Sequence, residues 1–230
     1  MRNILILMAV LLCSACAHSP SYDPQDPLEP ANRRIYAFNE KVDQYIAKPV
    51  ARGYVAAVPG EMRTGVHNFL SNLGYPTVII NDMLQGKLMQ AGRDTGRLLM
   101  NTTFGLAGFL DPATMVGLER NSEDFGQTLG NWGLGQGWYL MLPFLGPTTN
   151  RDLVGRGADQ FTTPVSHTDE LELQLAVFGL GLVDTRSQLL GSESLLREQF
   201  DPYVFVRGLY LERRNYLVHD GNPPRDDFEE

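Results

Sequence analysis

The residues of this chain with the means to do covalent or metal chemistry are four histidines, two cysteines and a scatter of serines. Cys16 has the most specific setting. It follows Ser14 and Ala15 at the end of an apolar run, residues 4–12, which Arg2 precedes. A positive start, a short apolar run and small residues describe an export signal, and the run is too short to span a bilayer. Small residues leading into a cysteine match the lipobox of bacterial lipoproteins, in which the thiol is acylated. The leucine usual three positions earlier is Cys13 here, and bulky Leu12 makes Cys13 itself a poor acceptor. Ala17 rather than Asp follows Cys16, which in that sorting pattern directs the chain to the outer membrane. Residues 1–15 are therefore read as signal peptide and Cys16 as the lipidation site.

The other reactive residues lack the company that chemistry requires. His18, His67, His167 and His219 are scattered without ligand spacing, so no metal site is expected. "GSES" at Gly191 is not a nucleophile elbow and reads as a helix break with Ser192 or Ser194 as N-cap. "GLGQG" at Gly133 has neither a P-loop lysine nor a dinucleotide-binding context. The chain is not read as an enzyme, and no cofactor is expected. Removal of residues 1–15 would leave 18 basic against 27 acidic residues. That balance argues against nucleic acid, and against holding anionic headgroups by charge alone. With Cys13 removed and Cys16 acylated, no disulfide can form.

The elements that must position any site are mainly helical. Residues 17–27, "AHSPSYDPQDP", read as a tether after the lipid, giving a lipidated segment over 16–27. A first helix is expected over 28–46, with Ile35, Phe38, Val42, Tyr45 and Ile46 in phase. Others are expected over 50–58, 61–73, from Pro76 to a stop at Gly86, and over 87–105, where Leu88, Ala91, Thr95, Leu98, Leu99 and Thr102 share a face. Short helical turns are expected over 106–130, which Gly108, Pro112 and Gly117 break. Further helices are expected after Asn150, over 169–190 and over 202–217. The run "LQLAVFGLGLV" suits a buried helix better than a span. Asp26 and Asp201, each before a proline, read as N-caps. The helical domain then covers 28–217, and residues 218–230 form an acidic tail without core-forming residues. The fold class is all-α.

Residues 125–150, "FGQTLGNWGLGQGWYLMLPFLGPTTN", interrupt this pattern. At the chain's 20% charge they should carry about five charged residues and carry none. Six glycines and two prolines exclude an ordinary membrane helix. Such a segment is ordinary core, lies at membrane depth, or lines a lumen. Irregular backbone survives at membrane depth only where protein buries it or a water-filled cavity adjoins it. Trp132, Trp138 and Tyr139 suit that boundary.

The ordered set "DPLEPANRRIYAFNEKVD", "NLGYPTVIINDMLQGK", "RLLMNTTFGLAGFLDPATMVG", "EDFGQTLGNWGLGQGWYLMLPFLGPTTNRDLVG" and "DPYVFVRGLYLERR" resembles the MlaA (VacJ) outer-membrane lipoproteins from about Asp26 to Tyr216. The resemblance implies a part in maintaining lipid asymmetry of the Gram-negative outer membrane. Misplaced phospholipid would be removed from the outer leaflet and passed to a periplasmic carrier of the MlaC type. It implies a ring of short amphipathic helices within the bilayer, beside a trimeric porin, around an amphipathic channel that an irregular Gly/Pro-rich hairpin restricts. By that resemblance Trp132, Trp138, Tyr139, Leu142, Pro143, Phe144, Gly146, Pro147, Arg151 and Asp152 belong to the channel hairpin. Arg151 and Asp152 either pair structurally or meet a headgroup. Phe38 and Asn39 match the family's "FN" in the first helix and either pack it or gate the channel. The competing readings are a periplasm-facing structural or adaptor lipoprotein without a channel, and a lipid hydrolase, for which no nucleophile is convincing.

Overall fold

In a computed structural model, residues 23–224 are described; Cys16, the signal peptide and most of the tether lie outside them. The first contacts come early. Gln25 O accepts from the Tyr139 N–H at 2.7 Å. Asp26 is buried, and its carboxylate takes bonds from Asn32, Tyr203 and Arg207. Its side chain therefore does not cap the first helix, as the proline after it suggested. Its backbone oxygen accepts from Glu29 instead, because the carboxylate faces the arginine and tyrosine of the last helix.

The chain is mostly helical. Helix α1 (Glu29–Val42) runs through a π turn (Asp43–Ala47) into α2 (Lys48–Ala57). Helix α3 (Gly60–Leu84) is followed by α4 (Leu88–Thr103), a short α5 (Pro112–Met115) and α6 (Phe125–Asn131). A hairpin of β1 (Tyr139–Leu142) and β2 (Gly146–Thr149) leads into α7 (Asn150–Asp159). After a 3-10 turn at Pro164–His167 come α8 (Leu171–Gln188), α9 (Glu193–Arg197) and α10 (Pro202–Val218). The contacts close into a circuit: α1 lies on β1, β2 on α10, α10 on α6, α6 on α3, α3 on α8, and α8 on α2, which returns to α1 through the π turn.

Helix α3 does not restart at Pro76. It runs through, about 38 Å long at 1.5 Å per residue. Pro76 forfeits one internal bond, and side-chain bonds brace the helix on both sides of it. Asn68 Nδ2 donates to Phe109 O, and Asn72 Nδ2 to Thr102 Oγ1 and Ala107 O. Thr77 bonds Thr162, and Asn81 Nδ2 donates to Asp159.

The same residues reveal the main departure from sequence expectation. On α4 the buried stripe is Ala91, Asp94, Arg97 and Asn101. Leu88 and Leu99, expected on the core face, are 70% and 62% exposed. On α8, Asp184 points inward, while Leu171, Leu175, Phe178 and Leu182, spaced along one face, are exposed. The helix expected to be buried is thus a surface helix. No described helix is long and apolar enough to cross a membrane. Among the described residues, nineteen polar or charged side chains are buried against nine apolar ones. Most of these buried side chains are bonded: Arg97 to Asp111, Thr114 and Leu118 O, Asn101 to Asp111, and Asn121 to both Asp82 and Asp94, although single atoms such as Asp94 Oδ1 and Arg97 Nε are left without a partner among the described residues.

Candidate functional site

The uncharged segment begins as helix. Asp124 caps α6 by accepting from the Gln127 N–H at 2.9 Å, and α6 packs backbone to backbone on α7. A Cβ on Gly155 would lie 2.3 Å from Gly126 N, so this approach admits only glycine there. Trp132 closes α6, stacks edge-on with Phe125 and donates from Nε1 to Leu84 O. It sits on the helix end, apart from the strands.

The strands form a two-stranded antiparallel hairpin with Tyr139 opposite Thr149 and Leu142 opposite Gly146. Pro147 faces Met141, a position whose N–H points away from the partner strand, so its missing donor costs no ladder bond. The turn is tight: Leu145 N–H donates to Pro143 O, and Phe144 and Gly146 adopt positive φ of 64° and 75°. Positive φ is unusual for a bulky residue and marks local strain.

A two-stranded hairpin has two open edges and is marginal alone. Helix α1 closes the β1 edge with two asparagines, seven residues apart, that act as side-chain rungs. Asn32 Nδ2 donates to Tyr139 O at 3.1 Å, and its Oδ1 accepts from the Met141 N–H at 2.9 Å. Asn39 Nδ2 donates to Leu142 O at 2.9 Å, and its Oδ1 accepts from the Phe144 N–H at 2.9 Å. Beside the second rung, Phe38 meets Phe144 edge-on, with ring centroids 5.2 Å apart. The FN pair of α1 is thereby brought onto the hairpin tip.

The hairpin base is anchored differently. Tyr139 and Met141 are buried with Tyr203, and Ile35, Tyr36, Val206, Tyr210 and Leu211 pack around them. Thr149 caps α7 by accepting from the Asp152 N–H. Arg151 Nε donates to Asp152 Oδ1 at 3.1 Å. Arg214 binds Asp152 and both oxygens of Asp124, and the Tyr210 hydroxyl donates to Asp152 Oδ2. Arg151 and Asp152 are thus a buried structural pair. Burial raises the Asp152 pKa, but Arg214, the Tyr210 hydroxyl and Arg151 outweigh it and hold the carboxyl below its ordinary value. The tip, by contrast, is open: Phe144 is 63% exposed, and Leu145 is exposed with it, while Trp138 is exposed at the base end, where its carbonyl accepts from the Asn150 N–H.

Sequence reasoning missed Asn32, Tyr203, Tyr210 and Arg214. The one available signal was a pair of asparagines, Asn32 and Asn39, on one face of an amphipathic helix. Among the described residues no group of three or more His, Cys, Asp or Glu could hold a metal.

Three comparisons bear on this arrangement. The family described as MlaA lipoprotein matches residues 24–217. The "Intermembrane phospholipid transport system lipoprotein MlaA" of Escherichia coli (strain K12) is 39% identical over 228 residues, covering 96% of this chain and 90% of that protein. The protein of the same name from Haemophilus influenzae is 32% identical, covering 94% of this chain and 89% of its own length. A solved chain described under "Structural basis for maintenance of bacterial outer membrane lipid asymmetry" is similar with a TM-score of 0.77 at 37% identity, covering 84% of this chain and 98% of that one.

Proposed function

The chain belongs to the MlaA lipoprotein family, and on that premise we propose that it is a non-enzymatic phospholipid-transport lipoprotein of the Gram-negative outer membrane. Anchored by acylated Cys16 and embedded from the periplasmic side beside a trimeric porin, it removes misplaced phospholipid from the outer leaflet. The lipid passes through the helical ring to a periplasmic carrier of the MlaC type.

The observation that carries this reading is the inverted distribution of polarity. Leucines and phenylalanines of α4 and α8 face outward, while aspartates, asparagines and arginines of α3, α4 and α10 are buried and bonded. A large contiguous apolar surface marks contact with a membrane or a partner. With lipid outside, the helices gain nothing by burying leucine against leucine, and polar groups bind the helices together. A ring lined by polar groups and wrapped by apolar ones also suits the cargo. Moving a phospholipid through water would expose its tails at a cost of about 0.8 kcal/mol per CH₂. In this reading the exposed tip around Phe144 reaches the lipid path, Phe38 and Asn39 set its position, and the base at Arg151 and Asp152 stays fixed.

The test is complementation of a Gram-negative strain lacking its own MlaA-type protein, with outer-leaflet phospholipid as the readout. The wild-type chain restores asymmetry. Leu142→Asp/Phe144→Asp accumulates to the same level and does not. Equal restoration by both overturns the role of the hairpin. A chain that becomes soluble and monodisperse once Cys16 is replaced overturns the embedded reading in favour of a periplasm-facing adaptor.

A further inference from the structure

Helices α3 and α4 meet over two carboxyl groups. Asp82 on α3 and Asp94 on α4 are both fully buried and lie within hydrogen-bonding reach of each other. Asn121, from the connection between α5 and α6, bridges them. Its Nδ2 donates to Asp94 Oδ2 at 3.0 Å and, at 3.2 and 3.4 Å, to the two oxygens of Asp82. Gln90 Nε2 donates a second bond to Asp94 Oδ2. Asp94 Oδ1 has no partner among the described residues and reaches no solvent. The cations nearby are spent elsewhere: Lys87 binds Glu123 and Asp220, Arg97 binds Asp111, and Arg120 binds Asp111 and Asn68.

Two negative charges are not stable in such a place. A buried carboxylate without a counter-charge is neutralised instead, and two that share a site hold one proton between them. An oxygen that reaches no water-sized space leaves no room for a water or a hydrated ion, whereas a proton needs none. We propose that Asp82 and Asp94 share one proton, and that they latch α3, α4 and Asn121 together only while it is bound. The proton sits on Asp82, because Asp94 accepts the shorter bonds, from Gln90 and Asn121, and its charge is the better supported. The Asp82 hydroxyl then donates to Asp94 Oδ1, which accounts for the unpartnered oxygen.

Burial first, and Asp94 second, push the Asp82 carboxyl up to about 7, with Glu123 raising it further and Lys87 lowering it. Arg97 and Tyr75 stand beside Asp94, and Asp159 of α7 is bonded to Asn81, the residue before Asp82. As pH rises and the proton leaves, the two carboxylates part and admit water, and Asn121 cannot follow both. Arg120 on Asp111 and Glu123 on Lys87 and Gln85 hold the chain on either side, so the release is confined to Asn121 and Ser122. These two residues belong to the wall of a cavity of about 600 Å³, which Tyr216 and Leu217 of α10 also line. The shared proton therefore makes the closure of that wall depend on pH.

The experiment uses the full chain in detergent. Infrared difference spectra follow the proton, and amide hydrogen exchange, corrected for its intrinsic pH dependence, follows the latch. Wild type shows the C=O stretch of a protonated carboxyl, which disappears as pH rises through about 7. Over the same rise, from about pH 6 to about pH 8, protection of the Asn121 amide, which donates to the Tyr75 hydroxyl, falls about tenfold while that of Met141 is unchanged. Asp82→Asn removes this stretch and keeps protection constant across the range, because its amide gives Asp94 a permanent donor. Asp94→Asn does the same from the other side, so the result does not depend on the folding of one variant. A wild type without the stretch, a stretch that neither variant removes, or a fall in protection as large in both variants as in wild type overturns the proposal. Calcium added to wild type at about pH 8 leaves exchange unchanged. Protection restored by calcium would make the pair a cation site and overturn the proton as its occupant.

Discussion

The two ends of the β hairpin are held by the same device in opposite surroundings. At the base, the Asn32 rung is buried, backed by Asp26, Tyr203 and the Tyr139 cluster. At the tip, the Asn39 rung is partly open to solvent and backed only by the edge-on contact of Phe38 with Phe144. Identical bonds are worth different amounts in these settings, because a buried group that loses its partner cannot turn to water. The base is thus built to stay, and the tip to be released at low cost.

The largest effect that would break this contrast is at the base. Asn32→Leu leaves Tyr139 O, Met141 N–H and one oxygen of Asp26 without partners and should cost about 3 kcal/mol. Chemical denaturation in detergent measures it, and a loss below that of the tip variant would mean the base is not the anchor. Asn39→Ala comes next. It should cost about 1 kcal/mol and speed hydrogen exchange at the Phe144 amide about fivefold, with the Met141 amide unchanged. Exchange rising equally at both amides would show one cooperative hairpin rather than two independently held ends. A double-mutant cycle over Phe38→Leu and Phe144→Leu should give a smaller coupling, about 0.5–1 kcal/mol, confined to the tip.

The weakest effect on the hairpin should come from the far side of the circuit. Burial, and then the neighbouring carboxylate of Asp94, push the Asp82 pKa up to about 7. The folded protein then holds a proton that the unfolded chain gives up near the usual carboxylate value. Stability from this group is complete below that value and is lost as pH rises toward and through 7. The denaturation midpoint should fall from about pH 5 to about pH 8, and Asp82→Asn should flatten the fall. Exchange at Phe144 and Met141 should not follow it; if it does, the α3–α4 layer and the hairpin are coupled.

Local chemistry made much of this legible in the sequence. Charge depletion, glycines and prolines marked residues 125–150 as irregular, which fails for the helix at Phe125–Asn131 and holds for the hairpin, whose tight turn falls where Pro143, Phe144 and Gly146 stand. Asp201 before Pro202 caps α10, its carboxylate accepting from Tyr203 and Val204. Helical spacing located α1, α4, α8 and α10 to within a few residues. These features depend on backbone conformation and near neighbours, which the order of residues fixes directly.

Tertiary structure alone decided which way the faces point. Spacing on α4 separates Leu88 and Leu99 from Asp94 and Arg97, yet the same spacing suits a leucine face turned in or out. The preferred side depends on the surroundings of the whole molecule: water drives apolar groups inward, whereas apolar surroundings remove that drive and leave polar pairing to hold the helices. Long-range partners were hidden for a related reason. Asn32 and Asn39 meet the hairpin more than a hundred residues away, and Arg214 meets Asp124 and Asp152 across ninety and sixty-two residues. A side chain's type states what it can bond, and only the folded chain supplies the partner.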